Sequence, residues 1–355
     1  MTIGTRRLGL GLVAAATAAA LASCSLTGGG GGEPSASGAG AVVLVTHDSF
    51  AVSPEVLEAF TEQTGYTVEV RALGDAGTMV NQLVLSADAP LGDVVFGIDN
   101  TFASRAIDAG VLEPYDSPAA GEEVAALAPD DSGTLTAVDY GDVCVNVDHE
   151  WFADAEIPEP TTLDDLAAPA YRDLLVVQDP ASSSPGLAFL LATVGAFGDA
   201  WPQYWADLRA NGVKVAAGWS DAYGVDFSGS SGEGPRPLVV SYSSSPPYEV
   251  PEGSDVAPTG ALLETCFRQV EYAGVLAGAA EPEGARALVD FMLSSTFQED
   301  VPEQMYVYPV VAGTALPAAW EAFAPLSPSP FEVPAEEIDA NRQEWIETWT
   351  DVVIG

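Results

Sequence analysis

The sequence predicts an α/β protein in which mostly parallel sheets are flanked by helices, divided between two lobes. Three observations predict it. Short apolar runs alternate with stretches of helical periodicity along most of the chain. About 315 residues remain of the 355 once the first 40 are set aside, a length that suits two domains better than one. Hydrophobic residues make up 48% of the chain, with aromatics and branched aliphatics well represented, so the folded part builds a core.

The elements follow in order. Val42–Thr46 (VVLVT) is an apolar run ending in a polar residue and reads as a buried strand. Ser53 suits the cap of the next helix, with Pro54 at its first position and Glu55 in its first turn. Val56, Leu57 and Phe60 mark one face of that helix, and Gly65 ends it. Tyr66–Leu73 alternates as a second strand, Thr78–Leu85 reads as helix, and Asp93–Ile98 as a third strand. Phe102–Ala109 reads as helix, with Gly110 as its stop. This βαβαβ opening implies a parallel sheet. The second lobe is expected to begin near Val143. Leu174–Gln178 is a strand, and Ser184 suits the cap of a helix that begins at Pro185 and continues through LAFLLATVGAF. Trp201–Asn211 reads as helix, and Val213–Gly218 and Pro237–Tyr242 as strands. Ser228–Pro237 is rich in Gly, Ser and Pro and reads as a loop. The chain is expected to return to the first lobe after Val270, with helices over Glu283–Met292 and Glu337–Val352. Lobe 1 is therefore 41–142 with 271–355, and lobe 2 is 143–270. No internal repeat is found.

The N-terminus addresses the protein. Arg6 and Arg7 precede an apolar stretch, Leu8–Leu21, so residues 1–23 have the form of a secretory signal. The stretch is shorter than the roughly 20 apolar residues that span a bilayer. It ends in Leu21-Ala22-Ser23-Cys24, which resembles a bacterial lipobox, whose cysteine is acylated and becomes the new N-terminus. An ordinary cleaved signal with a chance cysteine is the alternative. Several acyl chains on Cys24 would anchor the protein firmly where one would not. Residues 24–40 are dominated by the Gly/Ser tract from Thr27 and form a flexible tether. The expected location is extracytoplasmic, anchored to the cell membrane as a lipoprotein. No later run is long and apolar enough to span.

Charge and rare residues exclude several functions. Acidic residues number 52 against 11 basic ones, a net charge of −41, and Lys214 is the sole lysine. This argues against nucleic acid, whose phosphates need a basic surface. Its first reading is solubility, including in a salty medium; attraction of a cationic ligand is the lesser alternative. The two histidines, His47 and His149, form no HExxH, and there is no CxxC, so no metal site is expected. Neither GxSxG nor a P-loop occurs. Cys144 and Cys266 remain, in a compartment where disulfides persist. A free nucleophilic thiol is the other reading.

Five segments carry polar and aromatic side chains at strand ends or helix starts: THDSF (Thr46–Phe50), DVVFGIDN (Asp93–Asn100), QDPASSSPGL (Gln178–Leu187), GWSDAYG (Gly218–Gly224) and SYSSSPPY (Ser241–Tyr248). Open α/β sheets gather their ligands at such places. In combination and order they resemble the thiamine-binding periplasmic proteins, the solute receptors of thiamine ABC transporters, from about Val42 to the C-terminus. The resemblance implies a type II periplasmic-binding-protein fold with hinge strands between the lobes. It implies a monomeric binding protein, not an enzyme, with no cofactor and with thiamine and a membrane permease as partners. YGDVCVNVD and TCFRQVEYAGVL look like the hinge strands, which implies a Cys144–Cys266 disulfide across them. Such a bridge closes a loop of about 120 residues, for which chain-entropy models give roughly 4–5 kcal/mol at most.

The ligand of that family has a flat aminopyrimidine, a cationic thiazolium and a hydroxyethyl arm that in some forms carries phosphate. Its rings call for aromatic faces, each attracting a cation by about 0.5–2 kcal/mol. Trp219, Tyr242 and Tyr248 match family contact positions, and Tyr223 lies beside them; core packing is the alternative for any one aromatic. The positive charge calls for carboxylates. Asp48, Asp75 and Asp99 each follow a strand near one sheet edge, where an Asp also caps helices. The resemblance supports Asp75 and Ala76 as contacts. The hydroxyethyl end calls for donors. Ser183 and Ser184 stand at a helix start, where free N–H groups and the dipole favour an anion or hydroxyl. Ser243, Ser244 and Ser245 also match family contacts, although serines near proline make turns too. Two positions depart from the family pattern: His47 replaces a usual Tyr, losing the phenol hydrogen bond, and Tyr306 stands where Trp is common. Two other readings remain. Ferric receptors share this fold but use a tyrosine pair, and no adjacent pair occurs here. Thiaminases of one type resemble these receptors and need a reduced Cys nucleophile.

Overall fold

The computed structural model describes residues 40–355; the signal, Cys24 and nearly all of the tether lie outside the described residues. Strands β1 (Ala41–Thr46), β2 (Thr67–Ala72) and β3 (Val94–Asp99) pair in parallel in the order β2-β1-β3. Every residue of β3 is buried, as expected for a strand covered on both faces. The edge strand β2 is largely exposed and carries Glu69 and Arg71, charges that discourage further pairing. Next come β4 (Leu112–Glu113) and the long β5 (Thr136–Asp148), then β6 (Leu175–Gln178), β7 (Lys214–Ala216), β8 (Leu238–Tyr242), the very long β9 (Thr259–Leu276) and β10 (Tyr308–Pro309). They join into one sheet in the order β2-β1-β3-β9-β5-β8-β6-β7, with β4 on β9 and β10 on β5. Parallel pairing holds at both ends of this sheet. Its centre is antiparallel, because β5 and β9 run the length of the molecule against each other. They are the crossing strands.

Helices cover the sheet. The first, Pro54–Thr64, buries Val56 and Phe60 and ends at Gly65, whose φ of 81° needs a residue without Cβ. Ser53 stands at its N-cap position, but its side chain makes no cap; its N–H and hydroxyl both reach Asp300 of the helix Ser295–Gln304. The second, Ala76–Leu85, starts two residues before the apolar pattern does, because Asp75 caps it. The helix Ser184–Phe197 is buried from Ser184 through Val194, so its apolar all-round sequence reflects a central position. Trp205 on the helix Trp201–Ala210 packs edge-on against Phe189 and against Trp349.

Trp349 lies on the last helix, Ala335–Val353, which the sequence reading places wholly in lobe 1. There Trp349 meets Trp205 of the helix Trp201–Ala210, and the Arg342 guanidinium lies over Phe102, just after β3.

Cys144 of β5 and Cys266 of β9 form a disulfide, with Cα atoms 4.2 Å apart. It fastens an irregularity. Val143 pairs with Phe267 and Val145 with Leu262, so the stretch 263–266 bulges out opposite Cys144. The Thr265 hydroxyl accepts from the Val145 N–H at 2.9 Å, and the Cys266 carbonyl accepts from the Phe331 N–H at 2.7 Å.

Candidate functional site

A cleft of about 400 Å³ opens where the crossing strands pass between the ends of β1, β6 and β8. Of the residues singled out from sequence, His47, Asp75, Ala76, Ser184, Trp219, Tyr223, Tyr242, Ser245, Tyr248 and Tyr306 line it. Asp48, Asp99, Ser183, Ser243 and Ser244 do not, and each has another role or place.

Asp75 joins the two sides. One oxygen accepts from the Ala76 N–H (2.7 Å) and the Ser184 N–H (3.3 Å), and the other from the Trp219 N–H (2.9 Å). A cap residue of one lobe thus also binds the start of two helices in the other. The approach is close. A Cβ on Gly218 would come within 2.9 Å of the Asp75 carboxylate, and one on Gly77 within 2.8 Å of the Ser182 backbone. The Thr78 N–H donates to the Ser182 carbonyl at 3.0 Å beside it. Ser183 is fully buried as the backbone N-cap of its helix, with a hydroxyl that has no partner. The sequence reading gives this helix start to a hydroxyl or phosphate of the ligand; its Ser184 N–H is instead engaged by Asp75.

Trp219 and Tyr223 stack with centroids 5.0 Å apart and planes 14° apart. The indole N–H donates to the Ser241 hydroxyl (2.9 Å), which is bonded to the Ser245 hydroxyl (2.9 Å). Much of the serine cluster therefore fixes aromatics. Ser244 donates to the Tyr306 carbonyl at 2.6 Å, and the N–H of the fully buried Ser243 donates to the Asp142 carbonyl at 2.8 Å. Tyr306 has a φ of 55°, a left-handed conformation uncommon for an aromatic, and the Ser244 bond helps hold it there. Its ring meets Tyr248 edge-on at 4.8 Å. Tyr248 is 59% exposed, so this pair forms the rim. The Tyr242 hydroxyl donates to Gln269 at 3.1 Å.

Asp99 closes the turn that leads into the helix Ala103–Asp108. Its Oδ1 accepts from the Thr101 N–H (2.8 Å), the Thr101 hydroxyl (2.6 Å) and the Phe102 N–H (3.1 Å), and the residue is fully buried. Burial pushes its carboxyl up to about 6 in spite of those bonds. Asp48 lies outside the cleft; partial desolvation of its carboxyl and the nearby Asp75 charge raise it above the usual range. His47 lines the cleft 5.8 Å from Phe96, with its Nε2 3.6 Å from Glu271. Its ring lies on Gly97, where the sheet bulges at a φ of 93° and any Cβ would collide with the imidazole.

The cleft also contains residues that sequence reasoning missed, chiefly Glu271, Glu249, Ser49 and Ser220. Glu271 lies inside the crossing strand β9, far from any strand end, so its position gave no signal. The Tyr223 hydroxyl and the Glu249 carboxylate are buried against each other, and the Ser184 hydroxyl is buried without a hydrogen-bond partner. Such a hydroxyl inside a cleft is open to a ligand.

Comparison with known proteins places this geometry. The family model for bacterial extracellular solute-binding proteins matches residues 89–327. The chain belongs to that family. Among the relatives of this solute-binding protein, the thiamine-binding periplasmic protein of Salmonella typhimurium is 32% identical over 88% of the chain and 93% of its own length. The protein of the same description from Escherichia coli is equally similar, and that from Haemophilus influenzae is 25% identical over 87% of the chain. A solved periplasmic thiamin binding protein superposes with a TM-score of 0.78 at 30% identity, covering 88% of this chain and 96% of that one. The fold is that of the type II periplasmic binding proteins, shared at 18% identity and a TM-score of 0.74 with AfuA from Actinobacillus pleuropneumoniae. The curated relatives are solute-binding transport proteins and not enzymes.

Proposed function

We propose that this solute-binding protein is the thiamine receptor of an ABC importer. It closes its lobes over one thiamine as a monomer and hands it to a membrane permease, held at the outer face of the membrane by lipid on Cys24. The observation that carries the reading is one cleft lined by both the Trp219–Tyr223 stack and the Tyr248–Tyr306 pair, with Asp75 and Glu271 also on its wall. Flat aromatic faces with carboxylates beside them suit a flat organic cation. The similarity to thiamine-binding periplasmic proteins along nearly the whole chain supports that choice of cation. Closure is a shift of population toward the state the ligand stabilises. The disulfide leaves neither Cys144 nor Cys266 as a free thiol, which speaks against a cysteine nucleophile.

Thiamine is favoured over its phosphates. A phosphate entering at the Ser184 helix start meets the Asp75 carboxylate already bound there. A calorimetric titration of the ectodomain, refolded to strip any ligand, with thiamine and with thiamine phosphate tests both statements. One-to-one binding with thiamine the tighter is expected; no binding of either would overturn the reading, and tighter phosphate binding would overturn the preference alone. The anchor is tested separately: Cys24→Ser should release the protein from the membrane fraction, and its retention there would argue against lipid on that residue.

A further inference from the structure

Three carboxyls lie in one row across the sheet beneath the cleft. Glu271 of β9 is the direct neighbour of Asp99 on β3 and of Asp139 on β5. Residues opposite one another on paired strands project to the same face, with Cβ atoms about 5 Å apart, and like charges so placed repel. Asp99 and Asp139 are fully buried, and Glu271 is 6% exposed. The Asp139 and Glu271 carboxyls are within hydrogen-bond reach of each other, and no other group bonds either oxygen of Asp139 or Oδ2 of Asp99.

The surroundings offer little compensating charge. The charged and titratable groups that face the row are His47 after β1, Asp75 at the start of the helix Ala76–Leu85, Tyr242 of β8, Tyr272 of β9 and Arg342 of the last helix. His47 Nε2 is 3.6 Å from Glu271, and Arg342 lies over the Phe102 ring. Arg268, the nearest arginine on β9, is paired with Asp142. Three buried acids with one imidazole beside them cannot all be ionised at neutral pH. Of the row, Glu271 alone lines the cleft. Independent features mark the same cavity as built for a ligand. Ser184 is 2% exposed, lines the cleft, and has a hydroxyl with no partner, and the buried Tyr223 hydroxyl beside it meets the Glu249 carboxylate.

We propose that Glu271 is the cation-contacting carboxylate of the cleft and that the row Asp99–Glu271–Asp139 releases a proton when a permanently charged organic cation binds. This rests on the thiamine reading. In the empty cleft the row shares at least one proton. The bound cation lies against Glu271 and supplies the positive charge the row lacks; the proton leaves to water and the carboxylate stays, so charge and atoms balance. Burial, with Asp139 beside it, holds the Glu271 carboxyl above its usual range, and burial pushes Asp139 up to about 7, consistent with a row protonated near neutrality. The sign follows. A proton released on binding makes affinity rise with pH, by at most about tenfold per pH unit for one proton, and level off once the empty row is ionised. At low pH the row stays protonated in both states, and binding is weakest.

The test is calorimetry of the ligand-stripped ectodomain with thiamine from pH 5.5 to 8.5, in two buffers of different ionisation enthalpy so that released protons are counted. Wild type should release close to one proton near pH 7 and bind more tightly as pH rises. Glu271→Gln, similar in shape and uncharged, should release none and lose the pH dependence. Asp139→Asn, which removes one neighbour, should shift the dependence to lower pH. Thermal melts establish that each variant is folded. Tight wild-type binding with no proton release, or Glu271→Gln binding with a wild-type pH profile, would overturn the assignment of Glu271 alone. No thiamine binding by wild type at any pH would overturn the thiamine reading and this inference with it.

Discussion

Asp75 shows how one side chain serves two levels of structure. It caps its own helix and accepts the Ser184 and Trp219 amides of the opposite lobe, and those groups would otherwise face each other across an open cleft. Hydrogen bonds to a charged group are worth about 1.5–3 kcal/mol. Asp75→Ala should therefore weaken thiamine binding by roughly ten- to a hundredfold and enlarge the radius of gyration of the ligand-bound protein. Titration with small-angle scattering would check this; unchanged affinity and radius would remove Asp75 from closure. Residue type and position made Asp75, Trp219 and Tyr248 legible in the sequence, since each follows a strand or sits in a polar loop. The serines were harder. Ser241, Ser244 and Ser245 bond one another, an indole and a backbone carbonyl, and nothing in a run of serines says which hydroxyl faces inward. Glu271 was hidden for a different reason: a glutamate inside a long strand gives no local sign that its neighbours on both sides are also acids.

Elements were read best where a local signal fixes both ends. The helix Pro54–Thr64 has proline at its start and glycine at its stop, and the structure places it between those limits. The β6 and β8 runs are apolar, short and flanked by polar residues, and lie within one residue of the expected bounds. The crossing strands are less legible from pattern. β9 mixes buried, partly buried and exposed positions up to Arg268 and is continuously buried from Gln269, because it passes from one lobe to the other, and no single period describes it. The helix Ser295–Gln304 gave no signal strong enough, with Pro302 inside it; it is held by its neighbours, Ser53 bonding Asp300 and Gln298 reaching the Val138 and Met292 carbonyls.

At the scale of the whole molecule, two lobes share one sheet, and the disulfide sits on the two strands that both lobes use. Replacing both cysteines by alanine should lower stability to urea by at most about 4–5 kcal/mol, since the bridge closes a loop of 122 residues in the unfolded chain. Urea unfolding followed by tryptophan fluorescence would measure it; no loss would mean that strain at the bulge offsets the constraint. The ring closed by Cys144 and Cys266 contains the exposed loop Ser231, Gly232 and Glu233. A protease that cuts there severs the polypeptide without dividing the molecule: both pieces remain one covalent body, still sharing their crossing strands. For a receptor working outside the cell, one cleavage in that lobe is damage it has the means to survive.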